Sequence, residues 1–125
     1  MHRNASELDT WQGSGRTCKI LVSLGETGTR DISALLVEFE PGEGTPVHTH
    51  DGIELMFVLE GEGISIEDGK ESKISKNSMV LAEKGVPHQI MNGPDVPMHM
   101  MCVYAPPLPD SYIMANYKRV PKVGE

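Results

Sequence analysis

Apolar residues along this chain come in short runs divided by turn residues, and no long amphipathic helix competes with them. The runs are CKILVSL (18–24), ISALLVEF (32–39), ELMFVLE (54–60), GISIE (63–67), SKISK (72–76), SMVLA (78–82), HQIMN (88–92) and MHMMCVY (98–104). Between them stand Gly25 to Gly28, Pro41 to Gly44, Gly61 to Gly63, Asp68-Gly69 and Asn92-Gly93-Pro94. Glycine and asparagine reach left-handed backbone angles and proline withdraws a ladder donor, so each run predicts a strand and each cluster a reversal. The pattern predicts a single all-β sandwich or barrel, with no internal repeat and no low-complexity tract.

The ends are less regular. Residues 1–15 read as a loosely ordered N-terminal arm, 16–108 as the barrel and 109–125 as a C-terminal extension. In that extension SYIMANYKR (111–119), after the Pro106-Pro107 stop, predicts a short helix or an extended segment. The run ELMFVLE is apolar on both faces: Met56 and Val58 share a face with Glu54, while Leu55, Phe57 and Leu59 share the other. One face lines a barrel interior. The other needs cover from a second layer or a partner subunit, which predicts a homodimer.

Composition narrows the function. A chain of 125 residues forms one domain with a real core. Its 18 acidic and 11 basic residues give a net charge of −7, which disfavours nucleic acid and anionic membranes as partners. The opening MHRNASELDT lacks the apolar core of a signal peptide, and no apolar run is long enough to span a bilayer. A cytoplasmic location is therefore expected, with Cys18 and Cys102 as buried, reduced thiols.

The chemistry concentrates in HTHDGIE, residues 48–54. Read as a strand, this stretch puts His48, His50 and Glu54 on one face; on a helix the two imidazoles would point about 200° apart. From Gly42 to Gly61 the chain fits G-x5-H-x-H-x3-E-x6-G, and Gly85, His88 and Asn92 fit G-x2-H-x3-N. In these two motifs the sequence resembles the cupin superfamily. Two positions depart from the usual second motif: Asn77 stands where a glycine is usual and Glu83 where a proline is. Both shape turns rather than supply ligands, and asparagine tolerates the left-handed conformation.

The resemblance implies a double-stranded β-helix, or jelly-roll barrel, as a single cupin domain. It also implies that His48, His50, Glu54 and His88 bind one divalent transition metal. Such donors suit iron, manganese, nickel, zinc or copper alike. Alternation proposes Val37, Phe39, Met56, Val58, Met79, Leu81 and Ile90 as pocket wall. It puts Met98, Met100 and Cys102 on one face as core, with His99 on the other beside Met101 and Val103. Glu54 is consumed as a ligand, so a base must be a metal-bound hydroxide or a residue such as His99 or Tyr104. Arg16, Lys19 and Arg30 are the cations nearest the early strands, and an anionic substrate needs one at the barrel mouth.

The expected function is a metal-dependent enzyme acting on a small oxygen-rich molecule. Dioxygenase-like oxidoreductase chemistry on iron leads at family level; isomerase, lyase or decarboxylase chemistry on manganese, nickel or zinc is the alternative. A non-catalytic binding module is a third reading. A small-molecule substrate and a second copy of the chain are the partners expected.

Overall fold

The computed structural model describes residues 1–125. Its strands are β1 (Trp11–Gly13), β2 (Arg16–Val22), β3 (Ser33–Phe39), β4 (Ile53–Glu60), β5 (Glu62–Glu67), β6 (Lys70–Ser75), β7 (Met79–Ala82), β8 (His88–Asn92), β9 (Met98–Ala105) and β10 (Lys118–Arg119). Two short α-helices, α1 (Leu24–Thr27) and α2 (Asp110–Asn116), and a 3-10 turn at Ala5–Glu7 complete it. The apolar runs of the sequence are β2 to β9. One sheet runs β10-β1-β2-β3-β9-β4-β7 and the other β6-β5-β8. The late strand β9 lies between the early strands β3 and β4, and β8 pairs with β5, which is the jelly-roll crossover. No helix is long and apolar enough to cross a membrane.

Turn chemistry explains the reversals. Asp68 and Gly69 both have positive φ, 49° and 78°, and join β5 to β6 as a tight hairpin. Asn77, in the place of a motif glycine, adopts φ 74° as its residue type permits. The N-terminal expectation needs correction. Trp11–Gly13 is a strand, held between β2 and β10; three residues carry too little alternation to stand out in sequence.

The inner face of the large sheet is built of rows that cross four strands in register. Cys18, Val37, Met100 and Val58 form one row. Ile20, Leu35, Cys102 and Met56 form the next. All eight are buried, so the core is rich in sulfur. Flanking them, Arg16, Phe39 and Met98 form a row at one end, and Ser33, Tyr104 and Glu54 form one at the other. The Arg16 and Glu54 rows are three same-face steps apart, about 20 Å along the strands.

Three of the proposed wall residues lie away from the cavity. In β7 it is Val80 and Ala82 that are buried, opposite Met56 and Glu54, while Met79 and Leu81 are 59% and 41% exposed. The phase of β7 is fixed by its pairing with β4, and alternation within SMVLA alone does not supply that phase. Met79 and Leu81 instead join Leu55 and Leu59 among the exposed hydrophobics of the outer face. Val58 does point inward, but into solid core with no exposure.

One close contact shapes the entry to β4. A Cβ added at Gly52 would stand 2.3 Å from the Ala105 carbonyl oxygen, so only glycine fits that bend. Gly52→Ala is expected to lower the melting temperature by about 5 °C or more, measured by thermal denaturation, because backbone must move to admit the methyl.

Candidate metal centre

His48, His50, Glu54 and His88 come together: one potential ligand atom from each lies within 4.8 Å of the others. The route differs from a single strand through residues 48–54. Asp51 and Gly52 form a bend, and regular pairing in β4 begins only at Ile53. His48 instead pairs with His88 as an isolated bridge: the His48 N–H donates to the His88 carbonyl at 3.1 Å and the reciprocal bond is 2.9 Å. The His50 carbonyl accepts from the Gly85 N–H at 3.0 Å. The histidines thus extend the small sheet, Glu54 belongs to the large one, and the cluster joins the two.

Hydrogen bonds set the imidazole orientations. His48 Nδ1 lies 2.7 Å from the Pro46 carbonyl oxygen and His88 Nδ1 lies 3.0 Å from that of Val86. A carbonyl only accepts, so both Nδ1 atoms carry a proton and both Nε2 atoms face the centre. His88 Nε2 donates to Glu54 while it is protonated and offers a lone pair to a metal once that proton leaves, the arrangement that orients metal-binding histidines. Glu54 Oε1 lies 3.0 Å from His88 Nε2 and 3.1 Å from His50 Nε2. Donors about 2.1 Å from an ion and at right angles to one another stand about 3.0 Å apart, so these spacings fit adjacent positions of one coordination shell. The residues present fit a divalent transition metal.

The electrostatics agree. Burial alone would raise the Glu54 carboxyl, but hydrogen bonds from His50 and His88 outweigh it and hold it at about 2. Burial pulls His48 below the ordinary histidine value. For His88 burial pulls downward too, yet the bonds to Glu54 and to the Val86 carbonyl leave it raised. The site therefore presents an ionised carboxylate among imidazoles over the neutral range.

The cluster opens into a cavity of about 70 Å³, room for roughly five waters. Val37, Phe39, Met56 and Ile90 line it as alternation proposed, together with Tyr104. Tyr104 pairs in register with Glu54 and packs edge-on to the His50 ring at 5.4 Å between centroids. Burial, then Cys102 and Glu54 nearby, push its phenol well above the usual value, so it is neutral. His99 is elsewhere. It projects from the outer face of β9, half-exposed, with Nε2 3.5 Å from Glu38 Oε1, and its role as a base at this site is withdrawn. Its phase follows from Met98, Met100 and Cys102 filling the inside.

Sequence reasoning missed Tyr112 and Tyr117, which also line the cavity. Asp110 accepts hydrogen bonds from the Ser23 hydroxyl and the Gly25 N–H, and β10 pairs with β1. Between these anchors the C-terminal segment brings Tyr112 and Tyr117 to the cavity. No local pattern announces that path. Asn92 has the turn role expected of it: its Nδ2 donates to the Phe39, Glu40 and Val96 carbonyls.

Two β-sheets with three imidazoles and a carboxylate converging between them define a jelly-roll barrel with a side-chain cluster that could hold a metal. The chain belongs to the cupin family: the model described as "Cupin domain" matches residues 35–104. It is 36% identical over 64 residues to an auxin-binding protein of Nicotiana tabacum, covering 50% of this chain and 34% of that one. It is 26% identical over 68 residues to an oxalate-binding protein of Thermotoga maritima, covering 54% and 56%. The chain thus spans little more than half the length of these relatives, or less. Among solved structures, an RmlC-like cupin from Shewanella frigidimarina superposes with a TM-score of 0.77 at 17% identity, covering 87% of this chain and 93% of that one.

Proposed function

We propose that this protein is a metal-dependent enzyme acting on a small oxygen-rich molecule, with His48, His50, Glu54 and His88 as the metal ligands. The observation that carries this is the pair of Nδ1–carbonyl hydrogen bonds that turn the Nε2 atoms of His48 and His88 inward beside an ionised Glu54. A divalent ion held there supplies Lewis acidity and, in an octahedral shell, two further positions for substrate oxygens. The apolar wall excludes water around the bound molecule. Tyr104, a neutral phenol on the Glu54 row, is placed to hold or deliver a proton at a substrate oxygen.

Two reaction types fit the donor set: dioxygen-dependent oxidation if the metal is iron, and non-redox isomerase, lyase or decarboxylase chemistry otherwise. Tyr104 favours the second, because a neutral phenol serves proton transfer to an enolate or carboxylate oxygen. The Thermotoga relative named for binding oxalate supports an oxygen-rich ligand. Elemental analysis of protein purified without added metal, followed by an oxygen electrode with diols and hydroxy acids, tests the reading. Turnover without oxygen uptake supports the non-redox route and uptake the oxidative one. Tight binding without turnover leaves a binding module, and absence of metal overturns the proposal.

The outer face of β4, β7 and β9 supports a second copy as partner. Leu55 pairs with Leu81 and Val103, and Phe57 with Met79 and Met101, so its centre carries no charge and does not oppose self-association of an acidic chain. Light scattering at micromolar concentration is expected to give twice the monomer mass, and Leu55→Glu to give the monomer.

A further inference from the structure

The cavity has a second polar group that the metal site does not use. Arg16 opens β2, pairs with Phe39 and lines the cavity at the end away from the Glu54 row. Its Nε donates to the Tyr117 hydroxyl at 2.9 Å, and one Nη1 proton goes to the Ser14 carbonyl at 3.1 Å. A guanidinium has five N–H groups, so three are left without a protein acceptor. No carboxylate lies within 4.0 Å: the seven ion pairs of the chain involve other cations. In a protein with 18 acidic residues, a half-buried arginine with no acidic partner, braced by a tyrosine of the C-terminal segment, is an unused anion site.

We propose that Arg16 binds a carboxylate of the substrate, and that the substrate is a small organic acid whose second oxygen function reaches the metal end of the same cavity. This rests on the proposed function for the metal end alone. Between the two polar ends the wall is apolar, formed by Leu35, Val37, Phe39, Met56 and Ile90. It suits a hydrocarbon spacer of several carbons that bridges what the Arg16 and ligand side chains leave of the distance between the rows. The separation of the Arg16 and Glu54 rows argues against one two-carbon dianion spanning both ends. Tyr117 is a positioning residue here: its hydroxyl fixes the guanidinium plane, and its ring lies 5.4 Å from the guanidinium carbon.

Butyrate and butyramide, equal in shape and different in charge, are the probes. Ligand-observed NMR titration on the protein as purified is expected to show butyrate binding about 10-fold or more tightly than butyramide. Arg16→Gln is expected to abolish that preference without changing metal content, Arg16→Lys to restore part of it, and Tyr117→Phe to reduce it several-fold. Equal binding of the two probes, no binding of butyrate, or a preference that survives in Arg16→Gln would overturn the assignment, the last because the metal then holds the carboxylate. If Arg16→Gln does not fold, Arg16→Lys and Tyr117→Phe decide: a preference unchanged in both overturns it. A protein without metal that still prefers butyrate refutes the metal reading and leaves the Arg16 site standing.

Discussion

His50→Ala is expected to lower metal occupancy by tenfold or more and to abolish turnover, while the barrel stays folded. His50 contributes one Nε2 to the cluster and sits in the loop before the Gly52 bend, outside any strand, so its loss breaks no ladder. Removing one of four donors leaves three and uncovers Glu54, whose ionised state depends on His50 and His88. Elemental analysis and circular dichroism on the same sample check both halves. An ion bound only to the folded form stabilises it by mass action whatever its role. Stripping the metal is therefore expected to lower the melting temperature of the wild-type protein by several degrees and to leave that of His50→Ala nearly unchanged. Loss of turnover in His50→Ala separates a catalytic site from a purely structural one.

Tyr104→Phe is expected to cost about 100-fold or more in turnover with metal content and fold preserved. The ring would still fill its place against His50, so packing is unchanged and only the hydroxyl is lost. A fall in kcat with KM nearly constant identifies a proton held for the chemical step. Undiminished turnover would remove Tyr104 from the mechanism and with it the structural preference for non-redox chemistry.

The strands were legible because each apolar run is bounded by residues with strong backbone preferences, as at Asp68-Gly69 between β5 and β6. What sequence could not supply was phase and path. Met79 and Leu81 are bulkier than their neighbours, yet pairing of β7 with β4 sends them outward. His99, by contrast, alternates with Met98, Met100 and Cys102, whose apolar face already marks the inside, so its outward phase was legible. The four candidate ligands were legible as a motif, and they do converge. They meet, however, through a bridge between His48 and His88 and a bend at Gly52, and not along one straight strand. Tyr112 and Tyr117 were invisible because their approach to the cavity is set by Asp110 and β10, contacts with residues 85 or more positions away.

The thioethers of Met56 and Met100 and the thiol of Cys102 stand in the wall of the cavity beside the four candidate ligands. Thioether sulfur is readily converted to sulfoxide, a group too polar for the apolar seat it would occupy, whereas burial holds the Cys102 thiol well above its usual pKa and makes it the more resistant sulfur. Any partly reduced oxygen species escaping from the centre would meet these atoms before bulk solvent. A cavity so lined would tolerate acid–base turnover and be prone to self-inactivation under leaky redox cycling, so oxidation of Met56 and Met100 during turnover would favour the oxidative reading of the proposed function.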